Sequence, residues 1–344
     1  MPFRLSESQG ISHIGSVVNG MGWLLTSSDA KKVISEDARY ARVIFPYMNG
    51  SDLNSTPESI PTRWTINFFD WPIEQARSYE VPFSIVEEKV KPHRRTVRRE
   101  TYRTRWWQYA ERQERLYEAI SSLSRTLIIA QTSKTLAFTF VSTNYVFSHM
   151  TVVIASDSSS MFALLQSNLH TAWVLQYAAS LKGDARYIPT DCFETFPFPS
   201  KYADLTDLGE RYFGFRSESM LKHRNGLTRI YNRFHDPVES CNDIHELRDL
   251  HVEMDKAVAA SYGWDDLDLG HGFHETKQGI RFTISEAARR EVLSRLLKLN
   301  HERYAEEVRQ GLHDKINRSG NVRSTRGRTK SVNDKDPSLF NMEG

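Results

Sequence analysis

The segment from Ser180 to Pro199 constrains this chain more than any other part of its sequence. It reads SLKGDARYIPTDCFETFPFP and places Lys182, Asp184 and Arg186 at alternate positions ahead of an aromatic and proline-rich run. Alternate residues of an extended backbone project to the same side. Charged side chains on one face suit contacts with base edges in a DNA groove, where Arg and Lys pair with guanine and Asp with cytosine. A solvated strand edge followed by a turn explains the same pattern, so these residues alone leave both interpretations open.

The composition allows a folded core, and the position of the charges is more informative than their sum. The chain has 344 residues, 39% of them hydrophobic, which is enough for one large or two ordinary domains. Its net charge of +2 does not indicate a nucleic-acid partner. Positive charge is concentrated between Lys89 and Arg105, however, and this local excess predicts phosphate contacts. The predicted phosphate-contacting residues are Lys89, Lys91, Arg94, Arg95, Arg98, Arg99, Arg103 and Arg105, together with Lys134.

A solvated helix face is the alternative interpretation of the basic segment Lys89–Arg105. Trp106 and Trp107 follow it directly, and we expect both indole rings in the core rather than on DNA.

The cysteines and the hydropathy pattern bear on the location of the protein. Cys192 and Cys241 are far apart and match no metal-ligand or redox spacing. No signal sequence opens the chain, and no run of about 18 apolar residues predicts a membrane span. We therefore expect a cytoplasmic protein without a membrane partner.

Composition shifts and turn signals divide the chain into four parts and predict an α+β fold. Residues 1–40 are a lead-in or spacer, and residues 41–200 form a domain with a mixed or antiparallel sheet. Residues 201–313 form a helical C-terminal domain. Residues 314–344 are polar, basic and poor in apolar side chains, which predicts a disordered tail.

Hydrophobic periodicity places several elements within these parts. It predicts a helix over Ser28–Ala38 and another over Met161–Tyr177. Three β-rich segments, spaced as in an antiparallel meander, lie between them. They are Thr126–Ala130, Leu136–Val141 and Val146–Ala155.

Further stretches resemble one protein family and occur in the same order as in that family. Together with Ser180–Pro199 they are Phe45–Pro72, Val90–Glu111, Ser133–Val141, Leu227–Pro237 and Asp266–Val308. They resemble MmeI-like DNA adenine methyltransferases and restriction-modification enzymes. The resemblance covers most of the chain, roughly from Ile14 to Leu312. It implies a target recognition domain, which binds double-stranded DNA, followed by a helical C-terminal domain.

Two motifs of that family are missing from this sequence. It lacks a Gly-rich loop for S-adenosylmethionine in a strand-loop-helix setting, and it lacks an Asn-Pro-Pro-Tyr-type tetrapeptide for the adenine. The resemblance therefore implies that S-adenosylmethionine and the catalytic residues belong to a methyltransferase module outside this chain. We expect a specificity part, truncated or separately encoded, that works with such a module. A non-catalytic assembly subunit of a DNA-modification or phage-defence complex is the alternative.

The resemblance also implies which residues read bases. One set lies just before Tyr187, and the other lies near the start of the strand that runs to Ala155. Arg186 suits guanine and Asp184 suits the amino group of cytosine, although a register slip of one residue would exchange the faces. By position, the two sets are Lys182, Asp184 and Arg186, and Ser148, His149 and Met150.

Histidines near glycines invite a metal interpretation that their spacing does not support. His271 and His274 stand beside Glu275, but a helical zinc pair needs two histidines four residues apart with the glutamate between them. We expect a structured loop and no metal there. His235, Asp236 and Pro237 predict a turn rather than a nuclease signature.

Overall fold

The computed structural model describes residues 1–181 and 184–313 and has the α+β architecture that the sequence predicts. Its strands are β1 (Ser12–Ile14), β2 (Leu24–Thr26), β3 (Ile44–Met48), β4 (Arg63–Ile66), β5 (Arg125–Ala130), β6 (Thr132–Ser133), β7 (Thr139–Ser142), β8 (Val146–Phe147), β9 (Thr151–Ile154), β10 (Ala179–Leu181), β11 (Asp184–Arg186), β12 (Gly272–Thr276) and β13 (Gly279–Thr283). Its α-helices are α1 (Ser27–Glu36), α2 (Gly50–Ser55), α3 (Ile73–Arg77), α4 (Glu80–Lys89), α5 (Lys91–Thr96), α6 (Glu100–Thr104), α7 (Glu114–Ala119), α8 (Ser159–Gln166), α9 (Asn168–Tyr177), α10 (Thr206–His223), α11 (Leu227–Phe234), α12 (Asn242–Ser261) and α13 (Glu286–Arg309).

The first sheet has the strand order β1-β9-β5-β7, with antiparallel neighbours throughout. Strand β5 lies in the middle, where Ile128 is opposite Thr139 on one side and Val153 on the other. The predicted meander is therefore wrong in its order, because β9 crosses over to the far side of β5. Alternating hydrophobicity marks a strand but does not identify its partner.

The second sheet has the order β2-β4-β3-β8, and its last strand is parallel to its neighbour. Strand β8 is the beginning of the segment Val146–Ala155 that the sequence predicts as a single strand. The chain leaves this sheet at Ser148 and enters the first sheet at Thr151. Residues 1–40 contribute β1 to the first sheet and β2 to the second, and α1 contacts β2.

Helix formation follows local capping rules in two places. The predicted helix over Ser28–Ala38 is confirmed as α1, and Thr26 caps it by accepting a hydrogen bond from the Asp29 N–H at 3.1 Å. The predicted helix over Met161–Tyr177 is wrong as a single element. Ser167 adopts an extended conformation between α8 and α9, and its hydroxyl accepts from the N–H of His170. A serine cap therefore begins a new helix where the periodicity continues.

Two hydrophobic cores support the sheets. One lies within residues 18–146 and includes Trp23, Phe68 and Trp106, so the core position predicted for Trp106 is confirmed. The other joins the first sheet to the C-terminal helices, since Ile128 and Leu296 belong to the same cluster. The helical region is thus packed directly against the first sheet.

None of the helices within the described residues is both long and apolar enough to cross a membrane. The predicted basic tail, 314–344, lies outside the described residues.

Candidate nucleic-acid interface

A small three-stranded ribbon carries the segment that opened the sequence analysis. Its order is β10-β11-β6, all antiparallel. The segment is a hairpin rather than one extended strand, and the predicted base-reading residue Lys182 lies outside the described residues. Within β11 the alternation holds: Ala185 is buried, whereas Arg186 on the other face is exposed and Asp184 is half-buried. Arg186 is therefore free to reach a groove.

The second candidate set lies on the loop between β8 and β9, which backbone hydrogen bonds hold on both sides. The N–H of Ser148 donates to the Met48 carbonyl at 2.8 Å, and the N–H of His149 donates to the Ser16 carbonyl at 3.0 Å. Gly15 completes the support, because a Cβ atom there would lie 2.2 Å from the Ser148 carbonyl oxygen. Only glycine allows this approach, and the loop is fixed as a result.

Gln131 joins the two candidate sets. Its N–H donates to the Met150 carbonyl at 2.8 Å, and its carbonyl accepts from the N–H of Tyr187 at 2.7 Å. Arg186 also lies opposite Thr132 in the ribbon. The β8–β9 loop and β11 are far apart in the sequence, but both are hydrogen-bonded through Gln131 or its immediate neighbours and therefore lie close together. The sequence offered no signal for this link.

The three residues of the loop differ in exposure. His149 is exposed, and Met150 is 44% exposed. Ser148 is 3% exposed, and its hydroxyl accepts from the N–H of Met150 at 3.2 Å. The prediction of Ser148 as a base contact is therefore corrected: its hydroxyl shapes the turn and does not face solvent.

The surroundings of His149 favour the neutral form of its imidazole ring. Partial burial lowers its pKa from the ordinary value, and the charge of Glu111 offsets this only in part. A neutral imidazole has one donor and one acceptor nitrogen. It can thus pair with either kind of group on a base edge.

A cleft of ≈ 670 Å³ lies in front of this loop. Asn19, Asn49, Asn54 and Arg63 line it together with His149, and none of the four was predicted from the sequence. Their signal was weak, because amides and isolated arginines are common at turns. These side chains add hydrogen-bonding groups beside the predicted base-reading residues.

The basic segment borders the same cleft. Gly20 lines it, and the ring of His93 on α5 approaches to 3.5 Å of where a Gly20 Cβ would be. Most of the cationic side chains of the segment are exposed on α4 to α6 and the adjoining turns. The exposed members are Lys89, Arg95, Arg98, Arg99, Arg103 and Arg105. These exposed side chains carry most of the positive charge of the segment.

Arg94 is the exception, and its prediction as a phosphate contact is corrected. Its side chain is 0% exposed. One terminal nitrogen donates to the carbonyls of Val18 at 2.8 Å and Gln108 at 3.3 Å, and the guanidinium lies over the Tyr102 ring. Burial lowers the pKa of Arg94. This side chain fixes the wall of the cleft from behind.

Local contacts also occupy other members of the segment. Lys91 donates to Glu87 at 2.7 Å and lies over the Trp106 ring, so part of its charge is already neutralised. Arg99 donates to the Tyr102 hydroxyl at 2.6 Å but stays exposed. Trp107 is half-buried and donates to the Trp71 carbonyl at 2.9 Å.

The comparison with known families decides what this arrangement belongs to. A family model described as the MmeI target recognition domain matches residues 5–200. The chain belongs to this family. The match includes the ribbon, the Ser148–Met150 loop and the basic segment of this MmeI-type domain.

A solved structure supports the fold of this MmeI-type domain and extends the likeness beyond residue 200. The type IIL restriction-modification enzyme MmeI, in complex with DNA, matches with a TM-score of 0.59 and 18% sequence identity. The match covers 89% of this chain and 36% of the MmeI chain. This chain thus spans about a third of the length of that one. No curated protein gave a significant match.

The histidines behave as structural residues of the helical region. Nε2 of His271 lies 2.8 Å from a carboxylate oxygen of Asp255, and Nε2 of His274 lies 2.9 Å from the Gly270 carbonyl. The His235–Pro237 turn is confirmed, directly after α11.

One group of residues in the described ranges has the composition of a metal site. Ligand atoms of His223, Cys241 and Asp243 lie within 4.8 Å of one another. The ammonium group of Lys222 forms an ion pair at 2.7 Å with one carboxylate oxygen of Asp243. This is the same oxygen that His223 contacts. An ammonium group therefore already occupies the carboxylate.

Proposed function

We propose that this chain reads a short site in double-stranded DNA on behalf of a restriction-modification enzyme. The observation that carries the proposal is the link through Gln131, which places exposed Arg186 and the exposed His149–Met150 pair side by side. Family membership and the MmeI–DNA complex support it.

The groups at this place match the two tasks of a DNA reader. Arg186 can donate two parallel hydrogen bonds to guanine O6 and N7 in the major groove. His149 offers one donor and one acceptor, and Met150 offers an apolar surface for a thymine methyl group. The exposed arginines of the basic segment neutralise phosphates, which provides affinity without sequence choice.

The finer proposal concerns the reaction that follows recognition. Adenine methylation requires the base to leave the duplex and enter a pocket, so the catalytic pocket sees only the extruded base. Site choice must then come from groove contacts such as those of Arg186. A methyltransferase module outside this chain, carrying S-adenosylmethionine, would complete the enzyme.

Selection from a randomised duplex library tests the proposal. We expect the intact chain to enrich a short asymmetric motif, and we expect affinity to fall steeply with salt. A change of Arg186 to Ala should relax one position of that motif. Tight binding with no enriched motif would leave the chain a non-specific DNA-binding protein and would contradict the proposal.

A further inference from the structure

A second cleft, of ≈ 80 Å³, lies where the recognition part meets the helical region. Lys134 reaches it from the recognition part, just after β6, and Arg281 reaches it from β13. The polar groups around them include Thr171, Thr276 and Gln278. None of the described residues that line it is an Asp or a Glu.

Arg281 is the unusual member of this cleft. It is half-buried, its Nε atom is shielded from solvent, and that atom has no hydrogen-bond partner among the described residues. Desolvating a guanidinium without a partner is costly, so native structures normally pair such a group. The Nδ1 atom of neighbouring His235 is likewise buried and has no partner. The unpaired Nε–H of Arg281 therefore points to a ligand with acceptor oxygens.

The buried carboxylate of Asp255 already has other partners. One carboxylate oxygen of Asp255 accepts a hydrogen bond from the backbone N–H of Asn168 at 2.7 Å. The other oxygen accepts from the side-chain amide of Asn168 at 2.7 Å and lies 2.8 Å from Nε2 of His271. Asn168 in turn accepts from the Thr283 hydroxyl at 2.9 Å. Asn168 and Thr283 of this network line the cleft. Burial lowers the pKa of His235 to about 3, which keeps its ring neutral.

The position of the cleft relates it to the ribbon. Lys134 follows Ser133, which is paired with Ala185, and Thr132 is paired with Arg186. Two residues of extended chain span about 7 Å. A DNA strand held at Arg186 would thus continue toward Lys134.

We propose that Lys134 and Arg281 together bind one backbone phosphate of the DNA, so that the helical region clamps the duplex beside the base-reading ribbon. This inference rests on the proposed function. It commits both cations to a single phosphate, because they line one small cleft.

Salt-dependent binding of a fixed duplex by the intact chain tests the clamp. We expect Lys134→Ala and Arg281→Ala each to weaken binding about three- to tenfold. The slope of log affinity against log salt should fall by up to about 0.9, the value for one phosphate. In the double variant the slope should fall by no more than about 0.9 in total, because both cations contact the same phosphate. A loss near 1.8 would mean two separate phosphates and would overturn the shared site.

Controls separate the clamp from folding and from the function itself. Lys256→Ala removes an exposed charge from α12 outside the cleft and should leave the slope unchanged. Arg281→Lys keeps the charge without the planar fork and should restore the slope more than the affinity. If the wild type binds DNA normally and Arg281→Ala has the same salt slope, the clamp proposal is wrong but the proposed function stands. No binding by the wild type sinks the proposed function as well.

A last arm identifies the source of the phosphate. If inorganic pyrophosphate raises the melting temperature of the wild type but not of Arg281→Ala, while the DNA slope is the same for both, the cleft takes a free phosphate compound. That result would also overturn the clamp.

Discussion

At the scale of single residues, exposure separates side chains that look alike in the sequence. Arg94 and Arg95 are adjacent and belong to the same basic segment. Arg94 is fully buried and donates to two backbone carbonyls, whereas Arg95 is exposed. The first holds the wall of the cleft together, and the second is available to an anion.

Alanine substitutions at these neighbours should have opposite effects. Arg94→Ala should lower the free energy of unfolding by about 1–3 kcal/mol, because it strands buried carbonyls without a donor, and should leave the salt slope of DNA binding unchanged. Arg95→Ala should leave stability unchanged and flatten the slope by up to about 0.9. Urea denaturation and salt titrations measure the two quantities. If the Arg94→Ala variant were fully folded and its DNA binding had a flatter salt slope, the Arg94 side chain would have to contact the DNA.

Arg186 supports the sharpest prediction about specificity. If it reads guanine, Arg186→Ala should cost about 1–3 kcal/mol at one base pair and leave the rest of the motif intact. Arg186→Lys should not restore it fully, because lysine lacks the planar fork. Binding to duplexes changed at one position at a time gives the answer.

The rival role for Arg186 is to hold β11 in place. That role predicts a lower melting temperature and weaker binding to all duplexes alike. An unchanged motif combined with reduced overall affinity would count against base reading.

At the scale of elements, the loop between β8 and β9 depends on one close approach. Gly15 of the chain just after β1 lies against the Ser148 carbonyl, and this contact sets where His149 and Met150 face. The position of this loop, which carries two of the proposed base-reading residues, is thus determined from outside its own sequence.

Gly15→Ala should displace this loop. We expect a loss of stability of about 1–3 kcal/mol from the clash, together with altered choice at the base pairs near His149. Gly214→Ala is the matched control, because it has open space around the missing Cβ within α10 and should stabilise that helix slightly. Thermal unfolding and motif selection provide the readouts. If a folded Gly15→Ala variant selected the same DNA motif as the wild type, the loop would not contribute to base recognition.

At the scale of the whole molecule, buried histidines couple the fold to pH. Burial lowers the pKa of His170 to about 3, and its Nε2 atom lies 3.0 Å from the hydroxyl of Tyr187, next to Arg186. In the unfolded chain a histidine has a pKa near 6.5. Below that pH the unfolded state binds a proton that the folded state does not accept, so stability falls as pH falls from about 6.5 toward 3.

His170 alone should contribute about 1.4 kcal/mol per pH unit well below pH 6.5. The variant His170→Gln, which keeps a polar group for Tyr187, should flatten the dependence by about that amount between pH 6 and 5. Urea midpoints across this range measure the difference. His245→Gln, an exposed histidine on α12, should have no such effect. Equal slopes for His170→Gln and the wild type would show that His170 is protonated in the folded protein.

What the sequence determined by itself was local. Alternation along β11 put Asp184 and Arg186 on the face opposite Ala185, and the sequence pattern located α1, because covalent geometry sets the spacing of side chains along strands and helices. The resemblance of the ordered stretches indicated the family. Only the tertiary structure decided the position of β9 beside β5, the burial of Arg94 and Ser148, and the meeting of Arg186 with Met150 across Gln131. Those features depend on contacts between residues far apart in the chain, and packing energy, which periodicity does not encode, selects among them.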